Sequence, residues 1–198
     1  MNRILTLCLV LITVVSCSDK QKNKKQGEFD PKAVELNEQG IWLMNQLKDD
    51  SAMILFDKAI EVDESYYLPH SNKVGIYISQ RKYGTALAES EKAIKKNPDY
   101  PEGLTITGML TEKQGDPVKA IEYYKKSIEL FDLKISDPKN KERLTQIKLS
   151  RAISLVLIGK EAEAKEELAK LQKEDPNNPM VTNFQDINKK EFLEQLFP

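Results

Sequence analysis

One histidine, His70, and two cysteines, Cys8 and Cys17, are the only soft metal ligands among 198 residues. A zinc site needs three or four convergent ligands, so a lone histidine points to packing rather than coordination. With one imidazole a catalytic triad has a single possible base, and no Gly-x-Ser-x-Gly turn presents a serine to it. The eight glycines form no phosphate-cradling loop. Carboxylates are plentiful, 31 Asp and Glu against 30 Lys and Arg. Within the acidic run Glu161, Glu163, Glu166 and Glu167, the pairs Glu161–Lys165 and Glu166–Lys170 have the four-residue spacing of solvated helical ion pairs. The sequence therefore implies no catalytic residue, no metal and no cofactor. A formal charge of −1 also lacks the basic footprint of a nucleic-acid binder.

Cys17 has a different chemistry. Arg3 precedes an apolar run over residues 4–15, which would make only about 18 Å of helix against a hydrocarbon core of about 30 Å. A charged start and a short apolar centre mark a secretory signal. The run ends in Val14-Val15-Ser16-Cys17, which resembles the lipobox of bacterial lipoproteins. That resemblance implies a signal peptide over 1–16, cleavage before Cys17, and a diacylglyceryl and palmitate-type anchor on it. Leu7 is too large for the small-residue position before Cys8. An ordinary signal peptide with an incidental cysteine is the alternative. Several acyl chains give stable anchoring where one gives only marginal binding. Ser18, in place of an aspartate, resembles the outer-membrane sorting pattern, so the expected location is the bacterial envelope, on the outer membrane facing the periplasm.

Residues 17–29 form the lipidated cysteine and a Lys-rich tether, with Lys20, Lys22, Lys24 and Lys25. A flexible spacer of this length holds the folded part on the order of 20 Å from its anchor.

From residue 33 the chain repeats with a period of 34. Units over 33–66, 67–100 and 101–134 place Gly40, Val74 and Gly108 at the eighth position. Ala52, Ala86 and Ala120 fall at the twentieth, and Ala59, Ala93 and Ser127 at the twenty-seventh. Larger residues hold the eleventh (Leu43, Tyr77, Thr111) and, in two units, the twenty-fourth (Phe56, Tyr124, with Ser90 between). Small residues at three fixed positions let two helices approach closely. A displaced fourth unit, 145–178, has Ala152, Leu155, Gly159 and Ala164 in register.

This pattern resembles the tetratricopeptide repeat (TPR). The resemblance implies an all-α, right-handed helical-hairpin solenoid, with about four repeats over 30–178 and a C-terminal capping helix over 179–198. The fourth position departs from the family's Trp, holding Leu36, His70, Leu104 and Lys148. Independently of the family, Asp30-Pro31, Asp116-Pro117 and Asp137-Pro138 pair an N-cap acceptor with a proline at the first helical position. Pro98 and Pro176 stop the helices before them. The spacer between the third and fourth units reads as an extension of the fourth unit's first helix, one helix over 138–158. The C-terminal segment carries Val181, Phe184, Ile187, Phe192, Leu193, Leu196 and Phe197, as expected of a capping helix, with Asp186-Ile187-Asn188 as the place where it could break. Docking on a partner or membrane is its alternative.

In the family, first helices line a ligand groove. The matching positions here are Asn37, Glu38, Ile41 and Met44 in the first unit, Asn72 and Ile78 in the second, and Glu102, Ile106, Met109 and Lys113 in the third. The fourth would add Ile153, Val156 and Leu157, unless the C-terminal helix covers them. The family's clamp for a C-terminal carboxylate matches only at Asn72, and Glu102 would repel an anion. The resemblance thus implies a non-catalytic protein-binding module, an envelope adaptor or assembly factor that takes an apolar or amphipathic segment. A glycan or small-molecule binding lipoprotein is the alternative.

Overall fold

The computed structural model describes residues 29–184 and 188–197, without the side chain of Met180. The signal peptide, Cys17 and nearly all of the tether lie outside the described residues. All regular structure among the described residues is helical, and none of these helices is long and apolar enough to cross a membrane.

Contacts divide the chain into two units, meeting at Pro98 and Asp99. The N-terminal unit holds α1 (Pro31–Asn45), α2 (Asp49–Val62), α3 (Leu68–Ser79) and α4 (Tyr83–Lys96). Helices α1 and α2 form one hairpin, α3 and α4 the next, and α2 packs on α3. Its core joins Ile41, Met44, Ala52, Phe56 and Ile76. A second cluster of Ala33, Ala59 and Tyr66 is covered by Phe29, whose ring lies 4.4 Å from that of Tyr66.

The C-terminal unit holds α5 (Pro101–Lys113), α6 (Pro117–Ser136), a 3-10 helix (Pro138–Arg143), α7 (Leu144–Leu157), α8 (Glu161–Glu174), α9 (Pro179–Thr182) and α10 (Lys189–Leu196). Its hairpins are α5–α6 and α7–α8, with α6 packed on α7.

The proline signals act where expected. Asp30 and Asp116 accept hydrogen bonds from the amides of Lys32 and Lys119, satisfying first-turn donors of α1 and α6. Helix α4 ends at Lys96, before Asn97-Pro98, and α8 at Glu174, before Asp175-Pro176.

One expectation needs correction. The spacer does not extend the fourth unit's first helix: α6 runs on to Ser136, Asp137 caps a separate 3-10 helix, and α7 starts at Leu144. No residue of Pro138–Arg143 is buried, so no apolar face selects α geometry there. The C-terminal segment holds two short helices, α9 and α10, on either side of the place near Asp186-Ile187-Asn188 where the sequence allows a break.

All four hairpins turn the same way. The fifteenth repeat position has positive φ every time: Leu47 (59°), Arg81 (59°), Gly115 (94°) and Gly159 (83°). The next amide then reaches the carbonyl of the eleventh position, as Lys48 to Leu43, Lys82 to Tyr77, Asp116 to Thr111 and Lys160 to Leu155. This is the Schellman closure of a helix.

Candidate functional site

In the N-terminal unit, α1 carries Asn37, Glu38, Ile41 and Met44, and α3 carries Asn72 and Ile78. Only Glu38 is exposed. Ile41 and Met44 belong to the core with Phe56. The Asn72 amide donates to Asn37 Oδ1 at 2.8 Å, and the Asn37 amide donates to the Tyr66 hydroxyl at 3.2 Å, all three side chains buried. Burial pushes the Tyr66 phenol well above its ordinary range. The one family clamp match, Asn72, is therefore held inside the fold. Trp42 was not singled out from the sequence because it lies off the apolar stripe. It is 61% exposed, with the Lys48 ammonium 5.8 Å from its ring, and exposed tryptophan is enriched at binding hot spots.

The same unit holds an ionic cluster. His70 Nδ1 lies 2.6 Å from Glu89 Oε1, Lys73 Nζ 3.3 Å from the same oxygen, and Lys92 Nζ 2.9 Å from Oε2. Lys73 also reaches Asp57 at 2.6 Å, so α2, α3 and α4 are tied together. Burial alone would push Glu89 up. The His70 and Lys92 hydrogen bonds and the Lys73 charge reverse this, bringing it down to about 2. A His–carboxylate pair is half of a triad, but the buried His70 Nε2 has no hydrogen-bond partner, so no nucleophile sits against it. The histidine is a core group at a packing position.

In the C-terminal unit, Glu102 is half-buried near Lys134 (3.8 Å), and Ile106 and Met109 are buried. Ile153, Val156 and Leu157 are buried as well. Thr105, Ser127 and Ser154 form a triangle of hydroxyls within 2.9–3.1 Å of one another, joining α5, α6 and α7. Each hydroxyl also lies within hydrogen-bond distance of a backbone carbonyl of its own helix, at Pro101, Tyr124 and Ser150.

The end of α5 meets the chain's own C-terminal segment. Lys113 Nζ donates to the Phe197 carbonyl at 3.1 Å and lies 5.8 Å from its ring. Glu112 takes the Lys189 ammonium at 2.8 Å and the Tyr124 hydroxyl at 3.0 Å. A cavity of about 270 Å³ opens between Met109, Glu112 and Lys113 on one side and Leu193, Glu194 and Phe197 on the other. The charged side chains of this contact were not legible as a set, because a period of 34 aligns positions within repeats and not the last helix against them.

A larger cavity, about 320 Å³, is lined by Lys148, Arg151, Glu163, Glu166, Glu167, Lys170 and Glu174. Arg151 binds Asp132 at 2.5 Å, Glu167 at 2.7 Å and Glu163 at 3.4 Å, which ties α6, α7 and α8 together. Glu166 and Lys170 form the expected exposed pair at 2.7 Å, whereas Glu161 faces the Lys189 amide at 3.5 Å. Among the described residues, no group of three or more His, Cys, Asp and Glu is placed to hold a metal ion.

No family model matches the chain. It is 34% identical over 116 residues to heat shock protein STI1 of Saccharomyces cerevisiae, covering 58% of this chain and 19% of that one. It is 30% identical over 120 residues to a small glutamine-rich tetratricopeptide repeat-containing protein of Dictyostelium discoideum, covering 60% of this chain and 36% of that one. Hsp70-Hsp90 organizing protein 3 of Arabidopsis thaliana is 26% identical over 141 residues, covering 69% of this chain and 24% of that one. The chain thus spans about a fifth to just over a third of the length of these relatives. They support the tetratricopeptide reading of its repeats. Among solved structures, the N-terminal domain of stress-induced protein-1 from C. elegans aligns with a TM-score of 0.46 at 22% identity, covering 59% of this chain and 94% of that one. YrrB, a TPR protein with an unusual peptide-binding site, aligns at 0.47 and 19%, covering 83% and 84%. At TM-scores below one half, neither likeness bears on the site.

Proposed function

We propose that the chain is a non-catalytic protein-interaction module, held at a bacterial envelope membrane by lipid on Cys17 and acting there as an adaptor or assembly factor. The observation that carries this reading is the 34-residue period realised as helical hairpins, with Ala52, Ala86, Ala120 and Ala164 all buried at the twentieth position. Each hairpin commits its small residues to packing and leaves no assembled nucleophile, base or metal cage among the groups described above. One relative is by name an organizer of two other proteins, and that class of role is the one proposed here. The ligand is an apolar or amphipathic segment rather than a carboxylate terminus. Asn72 is committed to Asn37, and Glu102 puts an acidic side chain in the first turn of α5.

Two experiments test the halves of this proposal. Cys17→Ala should release the protein from membranes and abolish acyl labelling, and unchanged fractionation overturns the anchor. A photo-crosslinker in place of exposed Glu38 should give a defined protein adduct in intact cells. No adduct, together with a thermal shift from glycans, favours the glycan or small-molecule reading instead.

A further inference from the structure

The contact between α5 and α10 is built like a binding site that the chain fills itself. Helix α10 has only eight residues, and isolated helices of that length are marginal in water. Its helicity therefore depends on its seat. It buries Phe192 and Leu196 on one face, with Phe197 just beyond. Its charged ends are read separately: Glu112 takes Lys189 at the start of the helix, and Lys113 takes the Phe197 carbonyl at its end. The two contacts differ in sign, an acid for the first-turn lysine and a cation for the terminal carbonyl, so the seat distinguishes one direction of the bound helix. Between these ends the cavity of about 270 Å³ remains, with Met109 among its lining residues. The cleft is open to solvent, and methionine adapts its shape to different ligands. Backbone ordering of eight residues costs more than three buried apolar side chains return, so α10 holds its seat only with the help of the polar contacts at its ends.

We propose that this seat binds an amphipathic helix of another protein, and that α10 is its stand-in in the free chain. The ligand class follows from the residues α10 uses: a lysine in the first turn, a phenylalanine three residues on, and an apolar–aromatic pair one helical turn later, as in Lys189, Phe192, Leu196 and Phe197. A ligand with a bulkier side chain over Met109 would fill the cavity that α10 leaves. This rests on the protein-binding reading above and names the ligand for one part of it.

The test uses the full chain and a fluorescein-labelled peptide of residues 188–198. The variant Phe192→Ser with Leu196→Ser releases α10 without touching the seat, and it should bind the peptide at least tenfold more tightly than the parent chain. Adding Lys113→Glu should reverse that gain. In the parent chain, excess peptide should speed amide exchange at residues 189–197, a readout that does not depend on how well the variant folds. Peptide binding unchanged by release of α10, or exchange unchanged by peptide, overturns the proposal. So does dimerisation of the released variant, which would make the seat a site for a second copy of the chain. Crosslinking from Glu38 on α1 proceeds independently of α10, so its success alongside a failed peptide experiment leaves the broader reading standing and removes this one.

Discussion

A Cβ added to Gly108 would stand 2.5 Å from Cε1 of Tyr124, and one added to Gly40 would stand 2.6 Å from Cε1 of Phe56. Both pairs occupy the eighth and twenty-fourth repeat positions. The second hairpin has Val74 and Ser90 there and the fourth has Ala152 and Leu168, all four buried. Each hairpin thus places its bulk on one helix and leaves room on the other, and the division reverses in the second unit.

That reversal can be imposed on the first hairpin. Gly40→Val drives methyl groups into the Phe56 ring and should cost about 1–3 kcal/mol, more than the helix-propensity gain of about 1 kcal/mol or less returns. Phe56→Ser alone empties the space and should cost roughly 3–5 kcal/mol. The double variant should be more stable than the sum by at least about 1 kcal/mol in a urea-unfolding cycle. Strict additivity would mean that the two positions do not share a volume.

Leu47 and Arg81 adopt the left-handed backbone that Gly115 and Gly159 adopt freely. A Cβ there costs roughly 1–2 kcal/mol, part of which glycine gives back by loosening the unfolded chain. Leu47 is 75% exposed, so removing its side chain loses little burial. Leu47→Gly should therefore stabilise by about 0.5–1 kcal/mol and Gly115→Ala should destabilise by about 1 kcal/mol. Thermal melts of the two variants moving in the same direction would sink this account.

These turns also show where the sequence stopped being legible. Gly115 and Gly159 announce a chain reversal, but Leu47 and Arg81 do so only once the period has aligned them with the glycines. The Asp-Pro pairs placed helix starts correctly because capping is local chemistry. The spacer failed because Pro138–Arg143 has charges compatible with a helix but no apolar face, and a 3-10 turn suits such a segment equally well. On the candidate face, repeat positions indicate which residues point away from their own hairpin. They do not indicate that Asn37 would be satisfied by Asn72, or that α10 would lie against Lys113.

Acid should weaken the N-terminal unit through Glu89. Its folded pKa, about 2, lies below its ordinary value of 4.5, so the folded state holds the unprotonated form more tightly than the unfolded chain does. The resulting stability is fully present above pH 4.5 and is lost as pH falls through 2. Glu89→Gln should flatten the stability profile between those limits while lowering it at pH 7. An unchanged slope would mean that His70, Lys73, Lys92 and Asp57 do not act through this carboxylate.

Asn37 and Asn72 pose the sharpest choice between holding the fold and holding a ligand. Asn37 accepts from Asn72 and donates to the Tyr66 hydroxyl, so Asn37→Leu strands two buried polar groups at once. Each stranded group costs about 1–3 kcal/mol. Replacing both partners with apolar residues can be nearly neutral, because neither is then left unsatisfied. Asn37→Leu should therefore destabilise by at least about 2 kcal/mol, and Asn37→Leu with Asn72→Leu should recover part of that loss. A ligand-binding pair would behave differently: either single variant would fold with unchanged stability and lose partner capture. Chemical denaturation, followed by crosslinking from Glu38 in the same variants, separates the two, and a stable single variant that no longer captures would return Asn72 to the binding face.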